Sequence, residues 1–342
     1  MGKKIVAKIL NLPESNLEKT EILTRINELD INDVYILYRD AIKKINKEFI
    51  HKIQSKAHFV IQTLLNDNSG FPLAILENGE KAVGSDMGKW LEILCINGEN
   101  SENVNIIDYR IEQITNIIKE YSPKGISLDF IRNFLFWEEI YENSDFKNFK
   151  KSCFCPYCIK KFTTLYGIEL PNFPTFEDTG TYILKNYWDK WKEFTYRKIT
   201  QSIEKIVSAI KEIDNNIVIT IHVVPWFEGE FNFSRKNILG QNIIDFKKLA
   251  NFISPMCYSP MLRRDNKWIL DIVEEFYNLT ESNILPAIQI SPMYGTEKLS
   301  DIQFKIMVES ALGGNSDGAV IWPWELLTKQ QLKILHSIKS TL

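Results

Sequence analysis

Short apolar, β-branched runs alternate with amphipathic stretches along most of the chain. Spacing within the amphipathic stretches predicts helices over 17–29, 106–121 and 202–213. In the second of these, isoleucines recur at intervals of four, three and four from Ile107 to Ile118, which places them on one helix face. Alternation of this kind is typical of βα units around a parallel sheet. The runs predicted as strands are 4–10, 34–38, 58–65, 125–131, 217–224, 252–258, 284–290 and 318–324.

Eight strands with intervening helices favour an α/β fold, a (β/α)8 barrel, formed by 1–342 as a single domain. A doubly wound sheet is the second choice, because the sequence has no Gly-rich dinucleotide or phosphate loop. Two stretches exceed normal connections: 66–105 after the third strand and 133–200 after the fourth. Long βα loops of a barrel lie on its C-terminal face, so we expect both insertions to cover the binding side.

Composition and charge narrow the class of function. The chain has 342 residues, 44% hydrophobic and 25% charged, and its net charge of −3 argues against a nucleic-acid partner. No apolar run approaches the roughly 20 residues of a membrane span, and the N-terminus MGKKIVAKILNLPES predicts a strand rather than a signal peptide. Five cysteines, an odd number, fit a reducing compartment, so we expect a soluble cytoplasmic protein. The oligomeric state is left open.

Residues just past each strand of a barrel share one rim. Here the rim combines carboxylates, aromatic rings and amides. A carboxylate pair flanked by aromatic rings suits glycoside cleavage, in which one group protonates the leaving oxygen and the other attacks the anomeric carbon or activates water. Asp40 and Asp67 are interpreted as turn or cap residues, which Asp favours. The predicted rim comprises Asp40, Asp67, Asp129, Arg132, His222, Trp226, Glu228, Tyr258, Gln289, Tyr294, Trp322, Trp324 and Glu325.

Several segments resemble a known group of proteins. NIIDYRIEQITNIIKEYSPKGISLDFIR (105–132) resembles the segment of glycosyl-hydrolase-like barrels that ends in DGIHLDYIR. CFCPYCIKKFTTLYGIELP (153–171) is similar to a cysteine-bearing insertion of related glycosidase-like proteins, and ISPMCYSP and GAVIWPWELL resemble their sixth- and eighth-strand signatures. The resemblance covers about residues 90–327. It implies a carbohydrate-active TIM barrel in which Asp129 matches the fourth-strand acid.

Departures from related patterns limit what the resemblance implies. Family-18 chitinases place their proton-donating Glu two residues beyond the strand Asp, where this chain has Ile131, so a chitinase is excluded. The group usually has Asp before the strand Gly, where this chain has Lys124. In starch-degrading barrels a fifth-strand Glu is the acid. By this analogy Glu228, which follows the fifth strand, is the expected proton donor. Glu325, which follows the eighth strand, is the alternative proton donor.

Most of the other rim residues have an expected role at the substrate site, and Asp129 has the central one. Asp129 is the expected nucleophile or base; the alternative is a structural carboxylate that pairs with Arg132 or caps a loop. Arg132 is expected to hold this acid ionised, since an adjacent cation lowers a carboxylate pKa, and direct contact with the substrate is the alternative. For His222 and Tyr258, packing in the barrel is the alternative. Predicted sugar platforms and ligand contacts are Trp226, Tyr258, Trp322, Trp324, His222 and Gln289.

A C-x-C-x-x-C motif lies in the second insertion. Cys153, Cys155 and Cys158 are close enough in sequence to share a metal, but a structural zinc site needs four ligands. The fourth ligand has to come from a distant part of the sequence, and Cys95 is the candidate. Loop-packing thiols or a labile disulfide are the alternatives. In each case the motif shapes the insertion, and no cofactor is expected for the chemistry.

Three functions follow from these features. The leading hypothesis is a glycoside hydrolase that acts on an oligosaccharide or glycoconjugate. Its rival is a non-catalytic carbohydrate-binding barrel, which would lack a second carboxylate within about 10 Å of Asp129. Third is a metal-dependent hydrolase or lyase built on Asp129 and His222, ranked last because the sequence has no H-E-x-x-H motif.

Overall fold

A computed structural model describes residues 2–38, 47–84, 88–292 and 297–342, so the predicted rim residues Asp40 and Tyr294 lie outside it. In this part of the chain eight parallel strands pair in the order β6-β5-β4-β3-β2-β1-β8-β7. Parallel bridges of Ile253 to Ile284 and of Met256 to Ala287 bring β6 beside β7 and nearly close the sheet. The predicted (β/α)8 barrel is confirmed. Its strands are β1 (Lys4–Ile9), β2 (Val34–Leu37), β3 (Ala57–Gln62), β4 (Gly125–Asp129), β5 (Val218–Val223), β6 (Phe252–Pro255), β7 (Ala287–Gln289) and β8 (Gly318–Trp322).

Helices lie between the strands and in the second insertion. The helix Ile106–Tyr121 begins where the sequence predicts, because the Asn105 side chain accepts a hydrogen bond from the Ile107 N–H at 2.9 Å. It ends at Ser122, whose φ of 42° leaves the helical range. The α-helices of the described residues are Asn16–Glu28, Lys47–Ile53, Ile106–Tyr121, Pro156–Tyr166, Phe176–Asn186, Trp188–Ile213, Ser234–Asn237, Ile243–Phe246, Lys267–Thr280, Asp301–Ala311 and Lys329–Lys339.

Each observed strand ends before its predicted end. The fourth, predicted over 125–131, stops at Asp129, although Ile131 beyond it is fully buried. Apolar residues past the strand ends pack under the loops, so hydrophobicity alone overestimates strand length. The helix predicted over 202–213 is the second half of Trp188–Ile213. The end of the predicted 133–200 insertion therefore belongs to the crossover helix between β4 and β5.

Polar residues meet at the amino ends of the first four strands. Asp33 accepts hydrogen bonds from His58 Nε2 at 2.8 Å and from Lys4 Nζ at 3.2 Å. Lys124 Nζ lies 2.6 Å from the same carboxylate, which gives the residue that departs from the glycosidase-like pattern a structural role. A Cβ on Gly125 would come within 2.1 Å of His58 Nδ1, so β4 has to begin with glycine here.

The two insertions pack against each other on the carboxyl side of the barrel. Leu76 forms an antiparallel bridge with Ser152, and the Phe154 N–H donates to the Ile75 carbonyl at 2.8 Å. Lys151 N–H donates to the Glu77 carboxylate at 2.6 Å. The insertions therefore form one layer over the strand ends. Within the described residues, no helix is long and apolar enough to cross a membrane.

Candidate functional site

A cavity of about 600 Å³ opens at the carboxyl ends of the strands, a size typical of small-molecule sites. Residues of the strand ends and of both insertions line it. Its position on this face is the one at which barrel enzymes build their active sites. Charged residues of the wall are Lys8, Asp67, Arg110, Asp129, Arg132 and Glu138, and its aromatic residues are Tyr38, Trp90, Phe130, Trp137, Tyr258 and Trp322.

Asp129, the last residue of β4, presents a buried carboxylate to this cavity. Its Oδ2 lies 3.5 Å from Lys8 Nζ on β1, and its Oδ1 accepts a hydrogen bond from the Phe130 N–H at 2.8 Å. Phe130 adopts a φ of 51°, a conformation that costs a non-glycine residue about 1–3 kcal/mol. Burial raises the pKa of Asp129, but the charge of Lys8, together with smaller contributions that include the Phe130 hydrogen bond and the charge of Arg132, brings the pKa below its ordinary value. Asp129 is therefore ionised at neutral pH.

Glu138 is the second buried carboxyl group of the cavity wall, and it was not predicted from the sequence. It lies in the 3-10 turn Trp137–Glu139 of the second insertion, nine residues past the end of β4. Burial raises the pKa of Glu138 to about 7, even though the Arg132 charge opposes the shift. Its Oε2 is buried and has no hydrogen-bond partner among the described residues. Below pH 7 this group is mostly protonated, in contrast to Asp129.

Arg132 lies in the segment between the two carboxyl groups and acts on both of them through its charge. Its buried Nη1 donates to the carbonyls of Leu135 at 2.8 Å and Asn133 at 3.3 Å, within the segment that leads from Asp129 to Glu138. The positive charge of Arg132 lowers the pKa of both carboxyl groups. Arg132 thus orders the segment and supplies positive potential to both acids.

Aromatic rings form one side of the cavity. Tyr258 and Trp322 stack with ring centroids 5.2 Å apart and an interplanar angle of 25°. Trp137 lies against the same tyrosine at 5.8 Å. All three rings belong to the cavity wall. Their mutual contacts give the cavity a continuous aromatic wall.

The two carboxylates expected as partners of Asp129 lie outside this cavity. Glu228 forms an ion pair with the buried Arg235. Glu325 accepts hydrogen bonds from the backbone N–H groups of Asn11 at 2.8 Å and Leu10 at 3.2 Å, which fixes the end of β1. Both carboxylates have structural partners of their own.

Four further predicted ligand contacts are also placed elsewhere. Trp226 is buried and packs against the rings of Phe149 and Phe231, with centroids 5.9 Å and 4.9 Å away. His222 is fully buried in β5, and burial lowers its pKa to about 3, so the ring is neutral. Gln289 donates to the Ser291 carbonyl at 2.7 Å. Trp324 is buried behind the rim.

The four cysteines Cys95, Cys153, Cys155 and Cys158 form a buried cluster whose sulfur atoms all lie within 4.8 Å of one another. Cys95 Sγ is 3.2 Å from Cys155 Sγ and 3.6 Å from Cys158 Sγ. In a tetrahedral site with Zn–S bonds of about 2.3 Å, the sulfurs lie about 3.8 Å apart. Ligand number and spacing therefore suit a structural zinc, with Cys95 as the fourth ligand.

No two sulfur atoms of the cluster are bonded to each other in this structure. A metal could be shared by three or more His, Cys, Asp or Glu side chains whose ligand atoms lie close together. Among the described residues, the four-cysteine cluster is the one group of this kind. Asp129 and His222, the core of the metal-dependent alternative, do not belong to such a group.

No protein-family model and no curated protein matches the sequence. The fold is similar to that of several solved structures. The glycoside hydrolase domain of PgaB (BpsB) from Bordetella bronchiseptica has a TM-score of 0.69 and 11% identity, over 99% of both chains. The β-amylase catalytic domain from Paenibacillus polymyxa has a TM-score of 0.62 and 12% identity, over 99% of this chain and 98% of that one.

A β-galactosidase from Halorubrum lacusprofundi has a TM-score of 0.65 and 11% identity, over 98% of this chain and 57% of that one. At such identities the likeness concerns the fold alone, and function has to be argued from the site. The chain thus has a barrel similar in fold to these glycoside hydrolase domains, with a cavity at the strand ends whose wall contains the two buried carboxyl groups of Asp129 and Glu138.

Proposed function

We propose that the chain is a glycoside hydrolase in which Asp129 and Glu138 form the catalytic pair. One observation carries this proposal: two buried carboxyl groups line the same cavity, and their environments shift their pKa values in opposite directions. Glycoside cleavage needs one ionised and one protonated carboxyl group, and such divergence separates the base from the acid. Glycoside hydrolases among the structures of similar fold support the same class of reaction.

Each carboxyl group has a defined step in this mechanism. Glu138 donates its proton to the glycosidic oxygen as the bond to the anomeric carbon breaks. As that bond breaks, Asp129 either bonds to the anomeric carbon, in a retaining route, or removes a proton from the attacking water, in an inverting route. In the retaining route water then cleaves the glycosyl ester of Asp129, and Glu138, now ionised, takes the proton of that water. The stacked pair Tyr258 and Trp322 holds the apolar face of the sugar, and Lys8 keeps Asp129 ionised until it reacts.

The dependence of activity on the leaving group distinguishes the proton donor from the nucleophile or base. We would assay a panel of 4-nitrophenyl and 2,4-dinitrophenyl glycosides with the parent protein, Asp129→Asn, Glu138→Gln and the control Glu139→Gln. Asp129→Asn should lose about 10³-fold or more on both series. Glu138→Gln should lose much more on the nitrophenyl than on the dinitrophenyl glycosides, because the better leaving group needs less protonation.

Glu139→Gln is the matched control, since it alters the neighbouring carboxyl group outside the cavity lining. It should keep parental activity. Full activity of a folded Asp129→Asn protein, or equal losses for the neighbouring glutamate variants, would refute the assignment.

A second candidate function, sugar binding without cleavage, is favoured by the Lys8–Asp129 ion pair. An ammonium group 3.5 Å from the carboxylate weakens the nucleophile and leaves it available as a hydrogen-bond acceptor. This function predicts that the parent protein binds oligosaccharides, leaves them intact through long incubation, and binds more weakly as Asp129→Asn. Release of reducing ends from those oligosaccharides would exclude it.

We also propose that the four-cysteine cluster binds one structural zinc ion. Cys95 belongs to the first insertion and the other three ligands to the second, so the metal would fasten the insertions to each other. Asn97 Nδ2 donates to Cys158 Sγ at 3.2 Å, and the Ile75 N–H donates to Cys153 Sγ at 3.3 Å. Donors of this kind orient and stabilise thiolate ligands.

A further inference from the structure

The outer part of the cavity contains an exposed aromatic ring, Trp90, which was not predicted from the sequence. Trp90, in the first insertion, lines the cavity yet remains 45% exposed. Its ring lies nearly perpendicular to those of Phe130 and Phe136, with centroids 6.1 Å and 6.2 Å away. Contacts with these two rings fix the indole while much of its surface stays open. A ring that lines a cavity and keeps this much open surface can pack against a ligand bound there.

Polar side chains accompany this ring. Arg110 Nη1 lies 2.6 Å from Asp67 Oδ2 and donates to Gln113 Oε1 at 3.1 Å, and all three residues line the cavity. The buried guanidinium also donates to the Thr63 carbonyl at 2.8 Å, so the backbone holds it in place. Asp67, predicted as a turn residue, is partly exposed and can accept further hydrogen bonds.

The ring and the polar set belong to neighbouring chain segments. The Asn66 N–H donates to the Glu92 carbonyl at 2.8 Å, and Leu65 bridges Ile93. Asp67 directly follows the first of these paired segments, and only Leu91 separates Trp90 from the second. The pairing therefore places the aromatic surface and the polar set at the same end of the cavity.

We propose that Trp90 and the polar set Asp67, Arg110 and Gln113 form a second sugar subsite, so that the cavity binds a chain of at least two sugar units. This inference rests on the proposed glycosidase function. A pyranose ring has an apolar C–H face, which would pack on the indole, and a rim of hydroxyl groups, which would pair with the polar set.

Charge and size support this class of ligand. Asp67 and Arg110 neutralise each other, so the subsite favours hydroxyl groups over an ionic substituent. A cavity of about 600 Å³ falls in the range that holds drug-sized ligands, which are larger than a single sugar ring. Phe130 follows Asp129 in the chain and also contacts Trp90, so the second subsite adjoins the proposed catalytic one.

Calorimetry with defined sugars tests the proposal. The probes are cellotriose, maltotriose, N,N′,N″-triacetylchitotriose and β-1,4-galactotriose, each compared with its monosaccharide, in a Glu138→Gln background that slows cleavage. At least one trisaccharide should bind more tightly than its monosaccharide. Trp90→Ala should weaken that trisaccharide by about tenfold and leave the monosaccharide unchanged. Trp90→Phe should retain most of the affinity, and Gln113→Ala should weaken the trisaccharide about threefold.

Phe176→Ala is the matched control, since Phe176 is an aromatic residue of similar exposure, 41%, outside the cavity lining. It should bind every probe as the background protein does. Equal affinities for a trisaccharide and its monosaccharide, or unchanged trisaccharide affinity of folded Trp90→Ala, would overturn the second subsite and leave the proposed catalysis standing. Failure of all seven sugars, the four trisaccharides and their three monosaccharides, to bind would overturn the proposed function and this inference together.

Discussion

The Oδ2 atom of Asp129 lies 3.5 Å from the Nζ atom of Lys8, and both side chains are buried in the barrel. The two residues belong to β4 and β1, which are separated in the sheet by β3 and β2, so the contact crosses the barrel. Each charge offsets the cost of burying the other. This pair explains how a carboxylate is tolerated at the end of an apolar strand.

Removal of Lys8 should therefore affect both stability and ionisation. We expect Lys8→Met to lower the free energy of unfolding by about 3–5 kcal/mol, because it leaves a buried carboxylate without its cation. The pKa of Asp129 should rise, and the acid limb of the pH–activity profile should move to higher pH with it. Urea unfolding and a pH–rate profile measure the two effects. In the double variant Lys8→Met, Asp129→Asn much of the lost stability should return; additive losses would contradict the pairing.

Glu138 should set the alkaline limb of the same profile. Burial raises the pKa of this carboxyl group to about 7, while Arg132 opposes the shift and Asp129 adds to it. The proton-donating form therefore disappears as pH rises through about 7, and kcat/KM for substrates with poor leaving groups should fall with it. Residual activity of Glu138→Gln should lack this limb. An alkaline limb that survives in Glu138→Gln would show that another group is the acid.

The raised pKa of Glu138 also implies a pH-dependent stability. In the unfolded chain this group titrates near its ordinary value of 4.5, so the folded protein holds the proton more tightly. Folding stability should then decrease as pH rises from about 4.5 to about 7. Urea unfolding at pH 5 and pH 7.5 should show a smaller decrease for Glu138→Gln than for the parent protein. An identical decrease in both proteins would contradict the buried acid.

The fold was predictable from the sequence because buried parallel strands appear as nearly continuous apolar runs. All eight runs correspond to strands, and the run around Asp129 shows why their ends were overestimated. Ile131 is as buried as any strand residue but packs under the loop that follows β4. Hydrophobic pattern reports burial, whereas a strand end depends on where the hydrogen-bonded ladder stops.

The site was only partly predictable. Residues next to strand ends, such as Asp129 and Tyr258, follow from the topology of a barrel and line the cavity. Glu138 and Trp90 come from the insertions, whose path depends on long-range contacts rather than local periodicity. Lys8 lies inside β1, where a charged residue in an apolar run was itself a signal of a buried partner.

Asp33 should stabilise the opposite end of the barrel in a pH-dependent manner. Burial raises the pKa of Asp33, but hydrogen bonding and charge from His58, with Lys124 and Lys4, lower it well below its ordinary value of 3.8. The stability that the Asp33 carboxylate contributes is fully present at pH values above its ordinary pKa of 3.8, and it is lost as the pH falls toward the pKa of the folded state. Asp33→Asn should cost about 3 kcal/mol at pH 7, with the difference shrinking in acid.

Asp271 provides the control for this experiment. It forms an exposed i,i+4 pair with Lys267, and such pairs contribute about 0.3–0.5 kcal/mol. In urea unfolding at pH 7, Asp33→Asn should be clearly less stable than Asp271→Asn. At pH 3 the difference in stability between the two variants should be smaller. Equal stabilities of Asp33→Asn and Asp271→Asn at pH 7 would refute the role of the buried cluster.

Metal content should report on the four-cysteine cluster independently of any activity. The purified protein should contain one zinc ion per chain by elemental analysis, with X-ray absorption showing four sulfur neighbours at about 2.3 Å. Cys95→Ser should lose most of the metal, because it removes the ligand supplied by the first insertion. Cys257→Ser is the matched control, since Cys257 is a buried free thiol outside the cluster, and it should retain the ion.

Loss of the ion should loosen the layer that carries Trp90 and Glu138. A chelator should lower the melting temperature of the parent protein and of Cys257→Ser, but have little effect on Cys95→Ser, which already lacks the metal. Hydrogen exchange should quicken at the contacts between the insertions, such as the Phe154 N–H. The barrel strands should keep their protection. A metal-free parent protein whose insertions exchange as slowly as its strands would show that the thiols pack together without a metal.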